Sequence, residues 1–210
     1  MKYLLLDVAG TLLHKPTLFN KIHGVLTSRG HIVALNKIKY NHKLLSETIK
    51  FPDRTDKEFY INFNAELLYS LGIIPTVTLL DEIFNTCSYL PWEKFDDTEA
   101  LQGINIPIGI LSNFNSSLKE QLTRIFGEVF SDIFVSEELG IGKPAVEFYQ
   151  RAIDKIGVDA SDILYIGDSF KLDMEPAIQL GIRSYIIDRD NFYPNSPNTI
   201  TSLFDIKDLI

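Results

Sequence analysis

Apolar positions fall into two patterns along this chain, short continuous blocks and helical stripes, and the two alternate. Met1-Lys2-Tyr3-Leu4-Leu5-Leu6 is an apolar run that stops at Asp7-Val8-Ala9-Gly10-Thr11-Leu12-Leu13. A run of this length, bounded by a turn signal, predicts a strand buried on both faces of a parallel sheet. Ile106 to Leu111 repeats the pattern and ends in Ser112-Asn113. Ile133-Phe134-Val135 predicts a third strand and Arg183 to Ile187 a fifth. The fourth, Ile163 to Ile166, ends in Gly167-Asp168-Ser169.

Helical spacing fills the gaps. After Lys15-Pro16, where proline suits a first helical turn, Leu18, Ile22, Val25 and Leu26 recur until Arg29-Gly30. Leu35, Ile38, Leu45 and Ile49 mark a second helix, over about 32–49, broken by Pro52. Thr55 and Glu58 have the spacing of a capping box, opening a helix with Phe59, Phe63, Leu67 and Leu71 that stops at Gly72. Pro75 begins a fourth, with Leu79, Ile83 and Phe84. Residues 16–88 are thus predicted to be helical without a strand. Later, Ser117 and Glu120 suggest another capping box, and Leu118, Leu122 and Ile125 line one face. Lys143-Pro144 opens a helix carrying Val146, Tyr149, Ile153 and Ile156. A last helix runs from about Leu172 to Gly181, and Asn191–Asn198 is predicted to be a loop.

Strands alternating with helices indicate βαβ units. The predicted fold class is α/β: a Rossmann-like parallel sheet core, residues 1–15 and 96–210, with an inserted all-helical cap, residues 16–95. The 210 residues are 45% hydrophobic and 23% charged, ample for such a core. Net charge is −8 and the isoelectric point about 5.0. No segment gathers lysine and arginine, which disfavours nucleic acid and anionic membrane as partners. A single cysteine, Cys87, permits no disulfide within the chain and reads as a small core residue in a reducing compartment. The apolar run before Asp7 is too short for a signal peptide, and no stretch reaches the ~20 residues of a membrane span. A cytoplasmic protein is the expectation.

The strand ends carry the chemistry. Asp7, Ser112 and Asp168 each close a strand at the sheet edge where open α/β folds bind ligands. Gly10 lets the chain turn sharply after Asp7. Lys143 stands at a helix start, and Asp173 follows Asp168 by five residues. Asp7 and Asp168 are hard oxygen donors of the kind that hold Mg2+ together with waters and phosphate oxygens. Ser112 and the amides around Asn113 lead toward a helix N-terminus, which favours anions. Lys143 can neutralise Asp7 and a phosphate together.

These residues, taken in order, resemble the four motifs of the haloacid dehalogenase superfamily: Asp7-Val8-Ala9-Gly10-Thr11, Ser112-Asn113, Lys143-Pro144, and Gly167-Asp168-Ser169 with Asp173. The match covers about 1–15 and 97–190, and the helical insertion is similar to that family's cap, which selects substrate. The resemblance implies a hydrolase acting on a small phosphorylated metabolite. Asp7 would be the nucleophile, forming an aspartyl intermediate. Ser112, Asn113 and Lys143 would bind the phosphoryl group, with Lys143 also orienting Asp7. Mg2+ would be held by Asp7, the Ala9 carbonyl and Asp168, with Asp173 as a ligand, through water, or as support.

The chain departs from the family's phosphatases at Ala9, where they carry a second Asp that protonates the leaving group and then activates water. Such a group typically contributes ~10²–10⁴-fold. Three readings follow. The protein is a hydrolase for good leaving groups, or it borrows a donor from the cap, with His14, His23 and Lys21 as candidates. It is similar instead to the phosphonatase branch, which has Ala at this position and a Schiff-base lysine in the cap; Lys39, Lys43 and Lys50 are on offer, in polar settings that do not suit a desolvated lysine. Or the site has decayed and the protein binds a partner. A dehalogenase is disfavoured, since that branch uses no metal.

Overall fold

The first strand is central because it is the most apolar and is buried from end to end. The computed structural model describes residues 1–210, and β1 (Tyr3–Leu6) is fully buried in it. The chain then forms β2 (Leu13–His14), α1 (Leu18–Ser28), α2 (Leu35–Thr48), α3 (Lys57–Ser70), α4 (Val77–Cys87) and β3 (Glu93–Lys94). It continues through β4 (Ile108–Ser112), α5 (Leu118–Phe126), β5 (Asp132–Val135), α6 (Ser136–Leu139), α7 (Val146–Ile156), β6 (Ile163–Gly167), α8 (Glu175–Gln179), β7 (Arg183–Ile187) and β8 (Thr199–Ile200). Short 3-10 segments cover Asp96–Gly103, Ala160–Asp162 and Leu203–Asp208.

Six strands form one sheet in the order β5-β4-β1-β6-β7-β8, and all their pairings are parallel. From β1 the chain goes first to one side (β4, β5) and later to the other (β6, β7, β8). That reversal leaves a crevice at the carboxyl ends of β1, β4 and β6, the place where such sheets bind ligands. Leu6 pairs with both Ile110 and Ile166, so those three strand ends are level. On one face, Tyr3, Leu5 and Tyr165 pack with Phe148, Tyr149, Ala152 and Ile153 of α7. Leu4, Leu6, Ile110, Leu164 and Ile166 alternate to the other face and are equally buried.

The chain divides into two compact units, Met1–His14 with Lys94–Ile210, and Lys15–Glu93. These limits lie one and two residues before the boundaries expected from the sequence. Two strands too short to read in the sequence, β2 and β3, pair with each other. In the helical unit, Ile22, Val25 and Leu26 of α1 pack with Ile38, Leu67, Leu68, Leu79 and Ile83.

Several expected details differ. The cap of α3 is Asp56, not Thr55: its carboxylate accepts from Phe59 N at 2.8 Å, and the Thr55 hydroxyl instead meets Tyr60 OH at 3.1 Å. Ser117 makes no side-chain cap and is itself helical in backbone; its hydroxyl accepts from Gln121 Nε2. Lys143-Pro144 precedes its helix rather than opening it. The last predicted helix begins as a π-turn over Phe170–Met174 before α8. There the Met174 amide reaches back to Ser169 O at 3.1 Å while Asp173 is drawn toward the preceding loop. The tail beyond the predicted loop adds β8 and a capping box of Ser202 with Asp205.

Candidate active site

Asp7 continues the ladder of β1, its amide bonding Ile166 O at 2.9 Å, and then the chain turns. The Val8 carbonyl accepts from the amides of Leu12 and Leu13, and Gly10 adopts φ +86°. A Cβ on Gly10 would collide with the Asp168 carboxylate, so only glycine lets the first motif and the fourth approach so closely. Thr11 donates its hydroxyl to Asp7 Oδ2 at 3.3 Å.

Lys143 enters from the loop before α7. Its backbone is held by Asn113, whose Oδ1 accepts from Lys143 N at 2.7 Å and whose Nδ2 donates to Lys143 O at 2.8 Å. The Asn113 side chain is therefore spent on placing Lys143. Lys143 Nζ donates to Asp7 Oδ1 at 2.5 Å, to Asp173 Oδ1 at 2.6 Å and to Tyr165 OH at 3.2 Å. Ser112 is buried at the end of β4. The helix that follows, α5, begins at Leu118, where the sequence places it.

Asp173, 1% exposed, uses both oxygens inward. Oδ1 accepts from Lys143 Nζ and from Tyr165 OH at 2.6 Å; Oδ2 accepts from the amides of Asp168 and Ser169 at 3.0 and 2.9 Å. A Cβ on Gly167 would strike this carboxylate. Asp173 thus fixes both the lysine and the Asp168 loop. Tyr149 OH in turn donates to Leu172 O at 2.7 Å and lies 3.4 Å from Tyr165 OH. Burial holds both phenols well above the usual tyrosine range, so they stay protonated donors.

Carboxylate oxygens of Asp7, Asp168 and Asp173 lie within 4.8 Å of one another. Asp7 and Asp173 share the Lys143 ammonium. Burial first, and then the Asp173 and Asp168 charges, outweigh Lys143 and push Asp7 up to about 7. Burial would lower Lys143, but Asp173 and Asp7 together hold it above the usual lysine range. Burial would raise Asp173, yet Lys143, Tyr165 and the Ser169 amide bring it below the usual carboxylate range. The donor set is all oxygen and carries more negative than positive charge, which suits a hard divalent cation.

Ala9 is exposed at the mouth of this loop. Of the residues weighed as substitutes, His14 stacks on Phe95, with ring centroids 4.0 Å apart. Lys21 and His23 lie on α1, Lys39 and Lys43 on α2, and Lys50 just beyond it. Lys43 pairs with Glu47 at 3.9 Å. Cys87 is half-buried and burial pushes its thiol up to about 11, which leaves it unreactive. Tyr149 and Tyr165 carry no functional signal in the sequence, because a tyrosine within an apolar stripe reads as core.

A family model described as haloacid dehalogenase-like hydrolase matches residues 1–181. The chain belongs to that family. As a haloacid dehalogenase-like hydrolase it has phosphatases among its relatives. A haloacid dehalogenase-like hydrolase domain-containing protein 3 of Danio rerio is 31% identical over 122 residues, 53% of this chain and 50% of that one. A glyceraldehyde 3-phosphate phosphatase of Methanocaldococcus jannaschii is 29% identical over 118 residues, 52% of this chain and 51% of that one. The chain spans about half the length of the curated relatives it matches. Among solved structures, the HAD-hydrolase YfnB from Bacillus subtilis, bound to magnesium, superposes with a TM-score of 0.67 at 20% identity, covering 99% of this chain and 97% of that one. At that identity the likeness speaks for the fold. No helix is long and apolar enough to cross a membrane.

Proposed function

We propose that this hydrolase removes phosphate from small phosphorylated metabolites with acidic leaving groups, through an aspartyl phosphate on Asp7. The observation that carries the reading is the charge imbalance at the strand ends. Asp7, Asp168 and Asp173 gather within 4.8 Å of one another, Asp7 and Asp173 share the Lys143 ammonium, and burial pushes Asp7 up to about 7. A nucleophilic carboxylate must be ionised, so the site calls for added positive charge.

Asp7, the Ala9 carbonyl and Asp168 would hold Mg2+, and Asp173 supports them from behind. When bound, Mg2+ supplies charge to the phosphoryl oxygens. The relative from Bacillus subtilis that binds magnesium supports this choice.

The remaining work falls to the chain's own groups. Lys143 keeps Asp7 Oδ1 in place and stabilises charge on the phosphoryl oxygens, with Ser112 binding beside it. Asp7 attacks phosphorus; the bond from phosphorus to the leaving oxygen breaks, and its electron pair leaves with that oxygen. Water then attacks the acyl phosphate at phosphorus, releasing phosphate and the free Asp7 carboxylate. Ala9 has no proton to give, so the leaving group departs as an anion or takes its proton from water. Substrates with acidic leaving groups are therefore favoured over alkyl phosphates. The helical unit, Lys15–Glu93, selects the substrate in this reading.

Phosphate release across a panel of phosphorylated metabolites, with one phosphonate, tests it in Mg2+ and in chelator. The expected result is metal-dependent release from aryl and acyl phosphates that vanishes in Asp7→Asn. Release no greater than that of the variant would overturn it in favour of a binding role. Release from the phosphonate alone would favour carbon–phosphorus cleavage.

A further inference from the structure

Arg189 lies just beyond β7, far in sequence from the first motif, yet it grips that motif. Its Nη1 donates to Gly10 O at 3.0 Å and its Nη2 to Thr11 O at 2.9 Å. The same guanidinium forks onto Asp97, Nε to Oδ2 at 2.9 Å and Nη2 to Oδ1 at 2.8 Å. Its plane sits 3.8 Å from the ring centre of Phe95. Asp97 is itself fixed, accepting from Leu203 N at 3.1 Å and Ser202 Oγ at 3.3 Å. Both side chains of the pair are mostly buried, 20% and 12% exposed.

Two features make this more than a surface ion pair. A bidentate, mostly buried arginine with an aromatic platform has a fixed geometry that lysine cannot reproduce. The carbonyls it holds belong to the turn that presents Asp7. Thr11 links the two ends directly, its hydroxyl donating to Asp7 Oδ2 and its carbonyl accepting from Arg189. Gly10, at φ +86° and pressed against Asp168, is the residue at which that turn would otherwise relax.

We propose that Arg189 is a positioning residue for the reaction: with Asp97 and Phe95 as its anchor, it locks the Gly10–Thr11 turn and through Thr11 sets the Asp7 carboxylate. This rests on the reading of Asp7 as the reacting carboxylate. A misplacement of about 1 Å at a reacting group can cost ~10²-fold in rate.

The test compares Arg189→Lys and Arg189→Met with the unmodified protein by steady-state kinetics and by amide hydrogen exchange. The expected result for both is a kcat lowered about 10²-fold with KM little changed, and faster exchange at Gly10 to Leu13, while the amides of Leu4 to Leu6 exchange as before. A kcat and loop exchange that both stay unchanged in Arg189→Lys would overturn the proposal. So would a uniform rise in exchange across the sheet with kcat per folded molecule preserved, which is what a merely structural role predicts. If the unmodified protein shows no hydrolysis that depends on Asp7, the proposed function fails on that arm. The exchange arm then still decides Arg189: loop amides that quicken in Arg189→Met keep it as the clamp of the turn, and loop amides that do not overturn it.

Discussion

On the proposed function, Ala9 stands where a proton-donating carboxyl would serve the reaction, and its exposed side chain leaves room for one. Ala9→Asp should raise turnover by one to a few orders of magnitude, the size of an acid–base contribution. The gain should be largest for alkyl phosphates, whose alkoxide most needs a proton. A series of phosphate esters of graded leaving-group acidity checks this; a flat response would mean that another group already supplies the proton. The other residues at this scale act in pairs. Asn113 places Lys143, and Asp173 places both Lys143 and the Asp168 loop. Residue types and order made Asp7, Lys143, Asp168 and Asp173 legible in the sequence. The bond from the Asn113 side chain to the Lys143 backbone is not legible in the sequence, because an amide beside a phosphate site and an amide bonded to a distant backbone have the same sequence signal.

At the scale of elements, the helical unit carries a titratable group where apolar packing would be expected. His42 on α2 meets Phe19 at 5.2 Å and Phe63 at 4.9 Å, both edge-on. Burial first, and Lys43 second, pull its imidazole down to about 4. Above about pH 6.5 the ring is neutral whether the chain is folded or not, so it adds no pH slope. As pH falls from about 6.5 toward 4 the unfolded chain takes the proton first, and stability is lost through that window. Thermal melting of the full chain between pH 7 and 4.5 should show this loss, and His42→Phe should flatten the slope. A variant melting with the same slope would place the acid sensitivity elsewhere. Most helices here were legible because their stripes are strong. Their caps were not, since Thr55, Asp56 and Ser117 are all competent cap types and the turn of the chain decides which one caps.

For the whole molecule, the concentrated negative charge of the core is the property that a cation should change. Ligand that binds only the folded state stabilises it by RT ln(1 + [L]/Kd), about 2.7 kcal/mol at a hundredfold excess over Kd. Adding Mg2+ should therefore raise the thermal midpoint progressively, and Asp168→Asn should remove most of the rise. Scanning calorimetry with and without chelator measures both. A midpoint insensitive to Mg2+ would count against the metal site while leaving the fold untouched.

By itself, the sequence determined the class of fold and the main components of the site. Short continuous apolar runs bounded by turn signals and alternating with helical stripes fit strands covered on both faces, and a polar residue closing such a strand comes out at the sheet edge. Tertiary structure decided what depends on contacts between distant segments. The Tyr165 and Tyr149 hydroxyls behind Lys143, the π-turn that brings Asp173 back to the Asp168 amide, and the grip of Arg189 on Gly10 and Thr11 all join residues whose neighbours in sequence carry no trace of the partner. A hydrophobic pattern records which face of an element is buried, whereas hydrogen bonds between elements depend on register and loop path, and those exist only once the sheet has assembled.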